Sequence, residues 1–153
     1  MNLSPFVKPE RIILALHADS QRETLQKLIQ SLVAADIVTD EEEFLRDIER
    51  REAEVTTVME NSIAIPHARS HAVRRLGLAI GITGELGGIR FNPESDAESK
   101  LLFCIAIPSF APTSHIPLLQ SIAKFSHDPK RVEKILKSKT PAGAARCLVS
   151  FKG

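Results

Sequence analysis

The sequence contains little that would commit it to a charged partner or an oxidising compartment. Its charges nearly cancel, leaving a formal net charge of +1. No strong field therefore favours nucleic acid or an anionic membrane. There are two cysteines, Cys104 and Cys147, each inside an apolar stretch where a free thiol behaves as a small buried hydrophobe. They make no disulfide framework, which fits a reducing cytoplasm. The longest apolar run, residues 101–108, is far short of the ~20 residues that cross a membrane. The opening "MNLSPFVKPE" lacks the basic start and apolar block of a signal peptide, so no direct membrane insertion is expected. Neither common Gly-rich phosphate loop is present, nor a serine nucleophile elbow, nor a Cys-x-x-Cys pair. No repeat, linker or low-complexity segment divides the chain, and 153 residues suffice for one cored domain spanning 1–153.

The hydrophobic pattern supplies the elements. "RIILAL" at 11–16 reads as a strand. Asp19 and Ser20 offer a cap before Leu25, Leu28, Ile29, Leu32 and Val33, which recur at helical spacing. Thr39 and Asp40 cap a second helix. Its first turn holds Glu41, Glu42 and Glu43, where the helix dipole favours negative charge, and its apolar stripe is Phe44, Leu45 and Ile48. Arg50, Arg51 and Glu52 are expected to end it. Strands are predicted at 62–65, 76–83 and 88–91, with a short β-prone stretch at 55–59. The near-continuous apolar run at 100–108 predicts a strand buried on both faces. "GELGG" at 84–88 reads as a loop or hairpin. The last third is helical, with starts expected near His115, Pro129 and Pro141. Strands and helices mix without strict βαβ alternation. That predicts an α+β domain of three layers, α/β/α, on a mixed β-sheet flanked by helices.

The residues able to carry chemistry are the histidines. "NSIAIPHARSH" at 61–71 places His67 directly after Pro66, which has no N–H to give a ladder. Pairing is therefore expected to stop at Pro66, with His67 emerging at a strand terminus as either a reactive imidazole or a turn residue. His71, four residues on, makes an "HxxxH" spacing that suits zinc only on a helix and lacks the metalloprotease glutamate. An exposed loop residue is the better reading, and no metal or cofactor is implied. His115 stands at a predicted helix N-terminus, where unpaired N–H groups favour an anion and disfavour imidazolium. His17 and His127 read as loop residues. Arg51 reads first as the solvated basic end of a helix.

Taken together, these residues resemble a known family. "NSIAIPHA" is similar to the active-site signature of the EIIA domains of the bacterial phosphotransferase system, fructose/mannitol class, which includes the nitrogen-regulatory EIIA proteins. "RRE" at 50–52 stands before the histidine as the family's Arg-Glu pair does, and Thr57 matches a common threonine. "LLFCIAIP" and "SHIPLLQSIAKF" resemble the family's later strand and histidine-led helix, so the likeness runs over about residues 4–148. The resemblance implies that His67 accepts a phosphoryl group from an HPr-like phosphocarrier protein. It assigns His115 to the second, non-phosphorylated histidine and Arg51 to the active-site arginine. A nitrogen-type regulatory role is expected first. The alternatives are an EIIA subunit of a sugar uptake system serving an EIIB domain, and a degenerate domain that binds regulatory partners without phosphate. Where the family commonly has glycine, this chain has Glu60, Ser62 and Ala68. They are expected to alter the loop that receives the phosphate, Glu60 by adding negative charge beside it.

Overall fold

The computed structural model describes residues 3–85 and 87–151. Leu86, inside the expected 84–88 loop, lies outside the described residues, as do Met1 and Asn2 of the opening stretch. In chain order come β1 (Ile12–Leu16), α1 (Gln21–Ala34), α2 (Glu41–Glu54), β2 (Val58–Met59), β3 (Ile63–Ala64), β4 (His67–Ser70), β5 (Gly77–Thr83), β6 (Leu101–Pro108), α3 (Ile116–Ser126), α4 (Pro129–Leu136) and α5 (Pro141–Val149). The strands form one mixed sheet in the order β1-β5-β6-β3-β2, with β4 also on β6. β5 runs antiparallel to β6, and β3 and β4 run parallel to it.

Alternation along β6 builds two cores. Leu102, Cys104 and Ala106 face the cluster that holds Leu25, Leu28, Phe44 and Ile48 of α1 and α2. Leu101, Phe103, Ile105 and Ile107 face the cluster of Leu118, Ile122, Phe125, Ile135 and Leu148 from α3, α4 and α5. This is the expected three-layer arrangement on a mixed sheet, with β6 buried along its whole length. The layer under α1 needs small residues. A Cβ on Gly81 would lie 2.5 Å from Cδ2 of Leu16 and 3.1 Å from that of Leu28, closer than packed carbon atoms approach.

The helix starts follow the capping rules. Ser20, Asp40 and Thr140 each accept a backbone N–H three residues on, which satisfies donors the helix leaves unpaired. α2 continues beyond the expected end to Glu54, which leaves Arg51 in its last turn. Two strand expectations are corrected. Residues 88–91 form no strand; Ile89 makes only an isolated bridge with Ser99. Pairing does not stop at Pro66. β3 and β4 lie in the same register on β6, Ile63 against Leu101 and His67 against Ile105. Pro66 lacks an N–H, but its carbonyl still accepts from the Ile105 N–H at 2.9 Å. His67 therefore opens a new strand.

Candidate functional site

β4 and the segment between β6 and α3 bring two histidines together. The rings of His67 and His115 lie 5.8 Å apart, centroid to centroid, tilted by 33°. Both line an open cavity of about 370 Å³ whose wall also holds Arg50, Arg51 and Arg69, with Asp47 and Glu54 as its acidic members. Arg51 reaches it from the last turn of α2, with Nη1 donating to the Val55 carbonyl at 2.9 Å. The three residues singled out from the sequence thus share one cavity.

The orientation of His67 follows from its backbone. Its Nδ1 lies 2.7 Å from the carbonyl oxygen of Ile65. A carbonyl only accepts, so Nδ1 carries the proton and Nε2 keeps its lone pair. Burial pushes the His67 pKa down, and the guanidinium groups of Arg51 and Arg69 push the same way. The Ile65 hydrogen bond and the charge of Glu52 oppose them. The site therefore holds a neutral imidazole under conditions where a free one begins to protonate. His115 is the N-cap residue of α3. It is 5% exposed, more buried than a helix-start histidine is expected to be. Burial, then His67 and Arg69, lowers its pKa as well. Its Nδ1 is buried with no hydrogen-bond partner among the described residues. Two neutral imidazoles flanked by guanidinium groups form a place where an oxyanion meets donors and cations while a nucleophile stays unprotonated.

Residues 5–149 match the model of the family described as phosphoenolpyruvate-dependent sugar phosphotransferase system, EIIA 2. The chain belongs to this EIIA family. A fructose-specific EIIA component of Haloferax volcanii is 29% identical over 91% of this chain and 89% of its own length. A mannitol-specific enzyme IIA component of Staphylococcus aureus is 25% identical over 90% of this chain and 91% of its own. Among solved structures, the mannitol IIA of Escherichia coli superposes with a TM-score of 0.78 at 24% identity, covering 92% of this chain and 97% of that one. The nitrogen regulatory IIA-Ntr of Neisseria meningitidis gives 0.80 at 15% identity, covering 95% and 98%. At those identities the structural likeness speaks for the EIIA fold alone.

The other histidines of this EIIA chain lie elsewhere. His71 is exposed in the turn after β4, 2.9 Å from the Ser109 hydroxyl. The "HxxxH" spacing thus falls on a strand and a turn, not on one helix face. His127 caps the C-terminus of α3 and pairs with Glu60 at 2.8 Å. This pairing corrects the expectation for Glu60. It sits at the far end of an 11-residue helix from His115, about 16 Å away along the axis. Of the other two positions where the resembled family commonly has glycine, Ala68 lies buried in the extended β4, while Ser62 has a left-handed backbone, φ 62°.

Two further residues bear on the site, Arg69 from its wall and Glu52 through its charge. Arg69 lies two residues past His67 on the same strand, so both side chains face one side. Its Nε donates to the Pro112 carbonyl at 2.6 Å. Continuing the strand through residue 69 would have found it. Glu52, which the sequence marks as a helix end and as part of the family-like Arg-Glu pair, is buried.

Proposed function

We propose that this EIIA protein is a cytoplasmic phosphoryl carrier that accepts phosphate on Nε2 of His67 from an HPr-like phosphocarrier. The observation that carries the reading is the hydrogen bond of His67 Nδ1–H to the Ile65 carbonyl, which leaves Nε2 as the nucleophile. The Nε2 lone pair attacks phosphorus on the donor. The new N–P bond forms as the donor's phosphoryl bond breaks, and that electron pair stays with the donor. Little other covalent chemistry is needed, so positive charge and placement around the moving oxygens do most of the work. Arg51 supplies a guanidinium fork for these oxygens, and His115 supplies a hydrogen-bond donor. No helix among the described residues is long and apolar enough to cross a membrane.

The test is incubation with phosphoenolpyruvate, enzyme I and a matching phosphocarrier. One acid-labile phosphate should be incorporated, and none in His67→Ala. Labelling that survives this substitution refutes the assignment.

Onward transfer to an EIIB domain in sugar uptake is favoured by the names of the fructose and mannitol components at 29% and 25% identity. The regulatory role expected from the sequence uses the same His67 chemistry and differs in its acceptor. Phosphate passing to a purified EIIB domain of the fructose or mannitol type supports uptake. A carrier that EIIB cannot discharge supports regulation.

A further inference from the structure

Glu52 is a carboxylate on an apolar stripe. α2 buries Phe44, Leu45 and Ile48, and the helical repeat puts residue 52 next on that face. The side chain is buried, at 6% exposure, and makes no ion pair among the described residues. Neutral donors satisfy it instead. The Thr57 N–H donates to Oε2 at 2.7 Å, the Thr56 hydroxyl to Oε2 at 3.1 Å, and the Thr57 hydroxyl to Oε1. Burying a carboxylate that keeps its charge is costly, and an apolar residue of similar size would serve packing better. The hydrogen bonds lead on to the site. The Thr57 carbonyl accepts from the Ile65 N–H at 3.1 Å, and the Ile65 carbonyl accepts from His67 Nδ1–H at 2.7 Å.

We propose that Glu52 is a positioning residue for phosphoryl transfer, acting through Thr57 and Ile65 to hold His67 with Nδ1 protonated and Nε2 open to phosphorus. This rests on the phosphoryl-carrier reading above. With phosphate on Nε2 and a proton on Nδ1 the ring is cationic, and the Glu52 charge stabilises it. Arg51 on the same helix, Arg69 on β4 and His115 before α3 also face the imidazole, and none of them supplies negative charge. Asp47 and Glu54 line the cavity wall but make no bond in this chain of contacts. On onward transfer the Nε2–P bond breaks and its electron pair returns to Nε2, while the acceptor's nucleophile bonds to phosphorus. The Nδ1 proton stays throughout, so the group that leaves is neutral imidazole and not imidazolate.

Nitrogen NMR of ¹⁵N-labelled protein, without phosphate, reads the His67 tautomer and titration directly. In Glu52→Gln an acceptor oxygen remains for the Thr57 N–H while the charge is gone. His67 should keep its Nδ1–H tautomer but titrate at lower pH. In Glu52→Ala the tautomer preference should weaken. Phosphoryl transfer from the phosphocarrier should slow by about tenfold or more, with the carrier KM within about twofold, as for other residues that orient a reacting group through a neighbour. A Glu52→Gln protein whose His67 titrates as in wild type overturns the proposal, and so does a folded Glu52→Ala protein whose His67 keeps the full Nδ1–H preference. The Glu52→Gln result decides the matter even where Glu52→Ala fails to fold. A wild-type protein that takes up no phosphate defeats the carrier reading instead, and the NMR comparison still decides whether Glu52 controls the ring.

Discussion

His67 and His115 present their imidazoles 5.8 Å apart across a cavity that also admits Arg51. The separation leaves room for a phosphoryl group to bond to one ring while its oxygens meet the other. His115→Ala should therefore slow phosphorylation of His67 by about 10²-fold, the usual cost of removing one donor to a developing oxyanion. Rapid-quench transfer assays with a phosphocarrier check this. An unchanged rate would separate His115 from the reaction.

Arg51→Lys keeps the charge but loses the planar fork. Transfer should fall by about tenfold or more, because an ammonium cannot bond two phosphoryl oxygens side by side. Arg51→Lys at wild-type rate would mean that charge alone suffices there.

The pH dependence has a definite sign. The pKa of His67 lies below its ordinary value of 6.5, chiefly through burial and then through Arg51 and Arg69. That of His115 is lowered by burial, His67 and Arg69. In the proposed transfer the neutral ring attacks, so the rate should stay level as pH falls to ~6.5 and decline only below that. Stability follows the same direction. The unfolded chain binds these protons more readily, so stability is lost as pH falls from the unfolded value through the folded ones, with no loss above. An NMR titration that finds His67 protonating above its ordinary value contradicts this account.

Ser62 holds φ 62° while its carbonyl accepts from the N–H groups of Lys100 and Leu101 at 2.7 and 3.1 Å. These bonds keep a β-carbon in the left-handed region, at a cost of about 1–2 kcal/mol. Ser62→Gly relieves this but frees the unfolded chain. The expected net gain is about 0.5–1 kcal/mol, or a rise of about 1–4 °C in Tm. A fall in Tm on calorimetry would show that Ser62 is not strained.

Phe110 is 77% exposed and Ile116 42%, on the segment that leads into α3 and on its first turn. Leu76 and Leu119 instead pack against a core. An exposed phenylalanine on the segment that leads to His115 suits a docking carrier. Phe110→Ala should raise the carrier KM about fivefold or more, the loss of about 1 kcal/mol of contact, and leave stability nearly unchanged.

The elements legible in the sequence were those whose signal is local. Leu25, Leu28, Ile29 and Leu32 repeat at the helical period, and the run at 101–108 is apolar on both faces. Each states its burial without reference to distant residues. Residues 88–91 alternate convincingly, yet only Ile89 finds a bridging partner, and a strand exists only where another strand pairs with it. The histidine-led signature points to His67, His115 and Arg51, which share one cavity. Arg69 is invisible to a local reading in which pairing ends at Pro66.

The sequence by itself determined the three layers, the helix starts and the candidate imidazole, because periodicity, capping side chains and a ring that removes an N–H act over a few residues. Tertiary structure alone decided that pairing resumes at His67, since the Pro66 carbonyl needs β6 beside it. It also decided that Glu60 lies at the far end of α3, and that a buried Glu52 connects through Thr57 and Ile65 to His67. Those facts depend on which distant segments pack together, and the energy of a buried charge or a shared hydrogen bond is set by neighbours that no local pattern specifies.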